Sequence, residues 1–61
     1  MSKELVRQCV AKYEVAQSRA LECIADGDMW RADCYLRSGA RLALYASKID
    51  LDLTLELLRM R

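Results

Sequence analysis

Histidine is absent from this sequence, and its absence limits the chemistry that the chain can perform. Histidine titrates near neutral pH and most often serves as a general base or a metal ligand. No other sequence motif for catalysis or metal binding compensates for the missing histidine. The chain has no glycine-rich phosphate loop, and Asp26-Gly27-Asp28 lacks the further ligands and the closing glutamate of a calcium loop. We therefore expect no enzymatic activity, no catalytic residue, no cofactor and no metal site.

The sequence also lacks a large excess of charge of either sign. Ten Lys and Arg side chains balance nine Asp and Glu side chains to a net charge of +1, so no overall field favours nucleic acid or anionic membrane. The chain has three cysteines, Cys9, Cys23 and Cys34, and no two of them form a C-x-x-C pair. An odd number of cysteines at such spacing is typical of reduced thiols. No stretch reads as a signal peptide or a membrane span. These features predict a soluble, cytoplasmic protein.

Helix breakers are scarce, since the chain has no proline and only two glycines. From Ser2, a good N-cap, apolar residues recur at helical spacing until Gly27, a natural C-terminal stop. The sequence therefore predicts a first helix over about 3–26. Its apolar seam consists largely of small residues, which would let a facing helix approach closely.

A second helix is predicted over about 29–48, because Asp28 can cap it and its apolar positions again recur at helical spacing. Gly39 lies at the centre of the apolar stripe, where it indicates a close approach of two backbones. Two long helices joined by two residues must fold back on each other. We therefore expect an antiparallel helical hairpin within one all-α domain, residues 1–61.

The third segment is ambiguous, since residues 49–57 alternate apolar and polar side chains as a half-buried strand does. Leucine and acidic residues are poor strand formers, and Asp50 or Asp52 could cap a helix. We favour a short helix over about 50–60. Read as a helix, the segment has two apolar stripes on opposite sides. One stripe is Leu51, Leu55 and Leu58, and the other is Leu53, Leu57 and Met60.

Apolar residues make up 54% of the 61-residue chain, which is more than one small hairpin can bury. The hairpin can cover only one of the two stripes. We therefore expect the chain to form a homo-oligomer, most simply a two-fold dimer, through these six residues of the third segment.

The outer face of the second helix is the candidate partner-binding face. Its aromatic, basic and apolar residues share one side of the helix: Trp30, Arg31, Arg37, Arg41, Leu44, Tyr45 and Lys48. Such a mixture is found in protein–protein hot spots and in nucleic-acid grooves that combine stacking with phosphate contacts. A third interpretation is a solvated face whose Trp and Leu are covered by the third segment or by a second subunit. Near-neutral net charge disfavours the nucleic-acid interpretation.

Two resemblances follow from this pattern. The turn residues Ala25, Gly27, Asp28, Ala32 and Tyr35 resemble the inter-helix turn of tetratricopeptide-type hairpins. The whole two-helix pattern, Ser2–Gly27 and Asp28–Lys48, resembles small all-helical accessory proteins of lambdoid phage early regions. The second resemblance implies a cytoplasmic regulator that binds host or phage proteins. From the residues themselves we expect a non-enzymatic interaction module that docks on a larger partner, with a nucleic-acid-binding regulator as the alternative.

Overall fold

The computed structural model describes residues 2–60, and three α-helices contain nearly all of them. Helix α1 is Ser2–Ala25, α2 is Met29–Ile49 and α3 is Leu51–Arg59. Over the described residues there is no strand, so the helical interpretation of the third segment is confirmed. The predicted bounds differ from the observed ones by at most one residue at each end.

The turn between α1 and α2 is closed by backbone hydrogen bonds. Gly27 has a φ of 79°, a left-handed conformation that glycine adopts without steric cost. Its N–H donates to the carbonyl of Ile24 at 3.0 Å, and the N–H of Asp28 donates to the carbonyl of Cys23 at 2.8 Å. This pair of bonds is a Schellman motif. The Asp28 carboxylate then accepts from the N–H of Arg31 at 3.1 Å and caps α2.

Small residues form the contact between α1 and α2, as the sequence predicts. Three alanines of the contact are almost fully buried, and Gly39 of α2 is buried as well. These alanines are Ala20, Ala32 and Ala46. Because such residues project little from the helix, the two backbones can lie close together along the hairpin.

A single residue, Asp50, joins α2 to α3. Its N–H donates to the carbonyl of Ala46 at 2.9 Å and so continues the bonding of α2. Its carboxylate accepts from the N–H of Leu53 at 3.0 Å and caps α3. The hydroxyl of buried Thr54 donates to the Asp50 carbonyl at 2.8 Å. Bonds to both helices thus fix the direction in which α3 leaves α2.

The core lies at the open end of the hairpin, away from the turn. Val6, Cys9, Val10 and Ala46 are buried there. Five partly buried residues of α2 and α3 pack against them: Leu42, Ile49, Leu53, Leu57 and Leu58. Helix α3 therefore folds back and covers one end of the hairpin.

The expectation that the hairpin covers one whole stripe of α3 and leaves the other is wrong, because the buried side of α3 takes residues from both stripes. Leu58 packs against the core together with Leu53 and Leu57, whereas Met60 is exposed. Thr54, which is only 1% exposed, lies at the centre of that buried side. Leu57 and Leu58 follow Thr54 by three and four residues, so both lie on its side of the helix.

Candidate partner-binding face

The outer face of α2 is the side of that helix turned away from the hairpin contact. Trp30 and Lys48 each lie nine residues from buried Gly39, which is about two and a half helical turns. A half turn places their side chains opposite the packed stripe. The hairpin thus determines which side of α2 remains available for binding.

All seven predicted residues of this face are exposed. Trp30 is 79% exposed and Leu44 is 64% exposed. The interpretation that α3 covers this face is therefore wrong for the single chain, because α3 packs on Val6, Val10 and Ala46 instead. Coverage of this face by a second subunit stays a prediction.

Ion pairs orient two of the arginines on this face. Arg37 Nε lies 3.0 Å from Asp33 Oδ2, one helical turn earlier, and Arg31 Nε lies 3.5 Å from Asp28 Oδ2. All four side chains are substantially exposed, so each pair contributes little to stability. Within residues 2–60, Arg41 has no such carboxylate partner. Its guanidinium remains available for an acceptor on another molecule.

The charge of the chain is unevenly distributed. Helix α2 contains four basic residues and one acidic residue, although the whole chain carries a net charge of only +1. The basic residues belong to the outer face; Trp30 directly precedes the first of them, and Leu44 and Tyr45 lie between the last two along the helix. This face therefore combines positive charge with exposed apolar area, a combination that the net charge of the chain does not reveal.

The predicted self-association residues divide into two groups. Leu53, Leu57 and Leu58 pack into the chain's own core. Leu51 and Leu55 are about half exposed, and Met60 is mostly exposed. The large apolar side chains of the third segment that remain exposed to a second molecule are therefore Leu51, Leu55 and Met60.

Sequence reasoning missed a second apolar surface near the turn. Leu21, Ile24, Met29 and Leu36 occupy apolar positions of the helical pattern, yet all four are exposed. They are exposed because α3 covers only the other end of the hairpin. The lengths of the helices indicate this exposure, because α3 with 9 residues is too short to cover the whole of α1 with 24.

In residues 2–60 no three Cys, Asp or Glu side chains gather as metal ligands would. The cysteines are free thiols: Cys9 is buried, Cys23 is partly buried and Cys34 is exposed. None of the helices described has the length and the apolar character that a bilayer crossing requires.

Comparison with known proteins adds no assignment: no family model, no curated protein and no solved structure matches this chain.

Proposed function

We propose that this chain is a non-enzymatic interaction module that docks on a larger protein partner through the outer face of α2. The observation that supports it is Trp30, the only tryptophan, left 79% exposed on a face shared with Arg37 and Arg41. Tryptophan, tyrosine and arginine are enriched among residues that dominate binding energy. An exposed apolar cluster edged by polar residues is typical of an interaction site.

The proposal includes self-association through α3 and action as a small cytoplasmic regulator. Free leucines on α3 support self-association, since a chain of this size has little interior in which to bury them. A regulatory role agrees with the resemblance to phage accessory proteins. A module without chemistry of its own acts by occupying a surface of its partner.

Site-specific photo-crosslinking tests the docking face. A photoreactive amino acid replaces Tyr45 on this face, or Val15 on α1, which is similarly exposed and serves as the control. We expect a discrete adduct, larger than two copies of the chain, from position 45 and none from position 15. The substitution Trp30→Ala should remove that adduct. Identical adducts from both positions, or none from position 45 in the native host, would refute the proposed face.

Nucleic acid is the second candidate ligand, favoured by the four basic residues of α2. Phosphate-driven binding loses orders of magnitude in affinity between about 50 mM and 200 mM salt. The test is a titration of labelled single- and double-stranded oligonucleotides across that range. Binding that collapses with salt and weakens in Arg41→Ala would favour nucleic acid. No mobility shift even at low salt would exclude it.

A further inference from the structure

An apolar groove lies on the turn-end half of the hairpin. It encloses about 150 Å³ and is lined by Gln17, Ala20, Leu21, Ile24 and Leu36. Leu21 is 67% exposed and Leu36 is 46% exposed. Side chains from α1 and α2 both contribute, so the groove follows the junction of the two helices.

This groove continues the surface on which α3 is packed. On α1, α3 covers Val10. Gln17, Leu21 and Ile24 follow Val10 by seven, eleven and fourteen residues, which is about two, three and four helical turns. They therefore lie on the same side of α1. One apolar surface thus extends along the hairpin, covered by α3 at the open end and bare at the turn end.

The lengths of the helices show how much is bare. At about 1.5 Å per residue, the 24 residues of α1 span about 36 Å, whereas the 9 residues of α3 span about 14 Å. More than half of the length of α1 is therefore not covered by α3. The vacant stretch is long enough to receive a second helix the size of α3.

The total surface area indicates how large the covering body should be. The chain exposes 4786 Å², whereas a compact monomer of 7.0 kDa exposes about 4,000 Å². The excess, about 700–800 Å², is close to the area of about 800 Å² that each partner buries in a standard protein–protein interface. A second copy of the chain is large enough to bury an area of that size.

We propose that a second copy of this chain covers the groove, in a two-fold dimer in which α3 of each copy lies on the turn-end groove of the other. Because the bare end and the α3 end belong to one surface, an antiparallel two-fold arrangement fills both grooves at once and closes the assembly. Leu51 and Leu55 of one copy then contact Leu21 and Leu36 of the other. This inference rests on the self-association proposed above and names the surface that receives α3.

Solution mass measured by light scattering is the first test. We expect the intact chain to have twice its 7.0 kDa mass at micromolar concentration. A charge in the contact is costly to bury, so Leu36→Glu in the groove and Leu55→Glu on α3 should each raise the dimer dissociation constant at least about tenfold. Val15→Glu is the control, since Val15 is 54% exposed and projects from the opposite side of α1 to Gln17. Circular dichroism verifies that each variant remains helical.

Disulfide trapping tests which surfaces meet. Cys23 and Cys34 are first replaced by Ser, and chains with Leu55→Cys are mixed with chains with Leu36→Cys. A bond between the two chains requires Cα atoms within about 7 Å. We expect the mixed disulfide to form readily, and Leu55→Cys mixed with Val15→Cys to yield none.

The outcomes separate this inference from the proposed function. A folded monomer at micromolar concentration refutes self-association and this inference together, and leaves the docking face of α2 to its own test. A second outcome is that Leu55→Glu dissociates the dimer, Leu36→Glu leaves it intact and no mixed disulfide forms. Self-association through α3 would then stand, but the turn-end groove would not be the surface that receives α3. A monomer whose groove instead crosslinks to another protein assigns the surface to a different occupant.

Discussion

Gly39 packs directly against the ring of Tyr13 at the middle of the hairpin. A methyl group placed on Gly39 would lie 3.2 Å from Cδ1 of Tyr13 and 3.4 Å from Cβ of Ala16. The hydroxyl of Tyr13 accepts a hydrogen bond from Gln17 Nε2 at 2.8 Å, which restricts the ring. The distance between α1 and α2 is therefore set here by the absence of a side chain.

Enlarging this contact should destabilise the hairpin. We expect Gly39→Leu to lower the free energy of unfolding by about 1–3 kcal/mol, because the added carbons have no space between Tyr13 and Ala16. Thermal and urea unfolding followed by circular dichroism measures the loss. For a domain of this size that is a large part of the total stability.

Gly39→Ala is the matched control for this prediction. Alanine gains about 1 kcal/mol over glycine inside a helix, and this gain opposes the tight contact with Tyr13. The net change should therefore stay below about 1 kcal/mol. If Gly39→Leu melted like the native chain, the close approach of the two helices at this point would be wrong.

Substitution of Asp50 should destabilise α3. Its side chain accepts the hydrogen bond from the N–H of Leu53 that caps α3. We expect Asp50→Ala to cost about 0.5–2 kcal/mol of unfolding free energy, measured by chemical denaturation. Asp50→Asn, which keeps an acceptor at the same place, should lose much less.

Asp52 provides the comparison within the same turn. It lies in the first turn of α3 and is exposed. Its carboxylate interacts with the helix dipole for about 0.3–1 kcal/mol, so Asp52→Ala should cost less than Asp50→Ala. Equal losses from the two variants would show that the capping bond contributes nothing beyond charge.

The packing of α3 on the hairpin is tested by truncating one leucine. Leu57 is partly buried against the core cluster. Replacement of buried leucine by alanine costs about 2–5 kcal/mol, and we expect Leu57→Ala to fall in the lower part of that range. The same change at Leu44, which is exposed on α2, should stay within about 0.5 kcal/mol. Urea unfolding of both variants decides whether α3 is held as described.

The helices were predictable because local residues determine where each one ends. Gly27, Asp28 and Asp50 act within one turn of their own positions, and the structure confirms each as a stop or a cap. The side of α3 that faces the hairpin was not predictable from its pattern. Alternating leucines present two equivalent stripes, and the centre of the buried side is polar Thr54.

The residues of the docking face were predictable for the same local reason, since helical spacing alone assigns Trp30 and Arg41 to one side. The groove was not. An apolar position such as Leu36 predicts that something covers it, but helical spacing does not say whether the cover is α3, solvent or a second chain. That information depends on where α3 ends on the hairpin, which is a tertiary property.

The outer face of α2 and the groove lie on different sides of the hairpin, and this separation affects affinity. In the proposed dimer each copy keeps its own Trp30 free, so the assembly is bivalent. Two linked sites on one target raise apparent affinity by about 10²–10⁴ over a single site. Dilution below the dimer dissociation constant would therefore release a repetitive target, although no residue that contacts the target had changed.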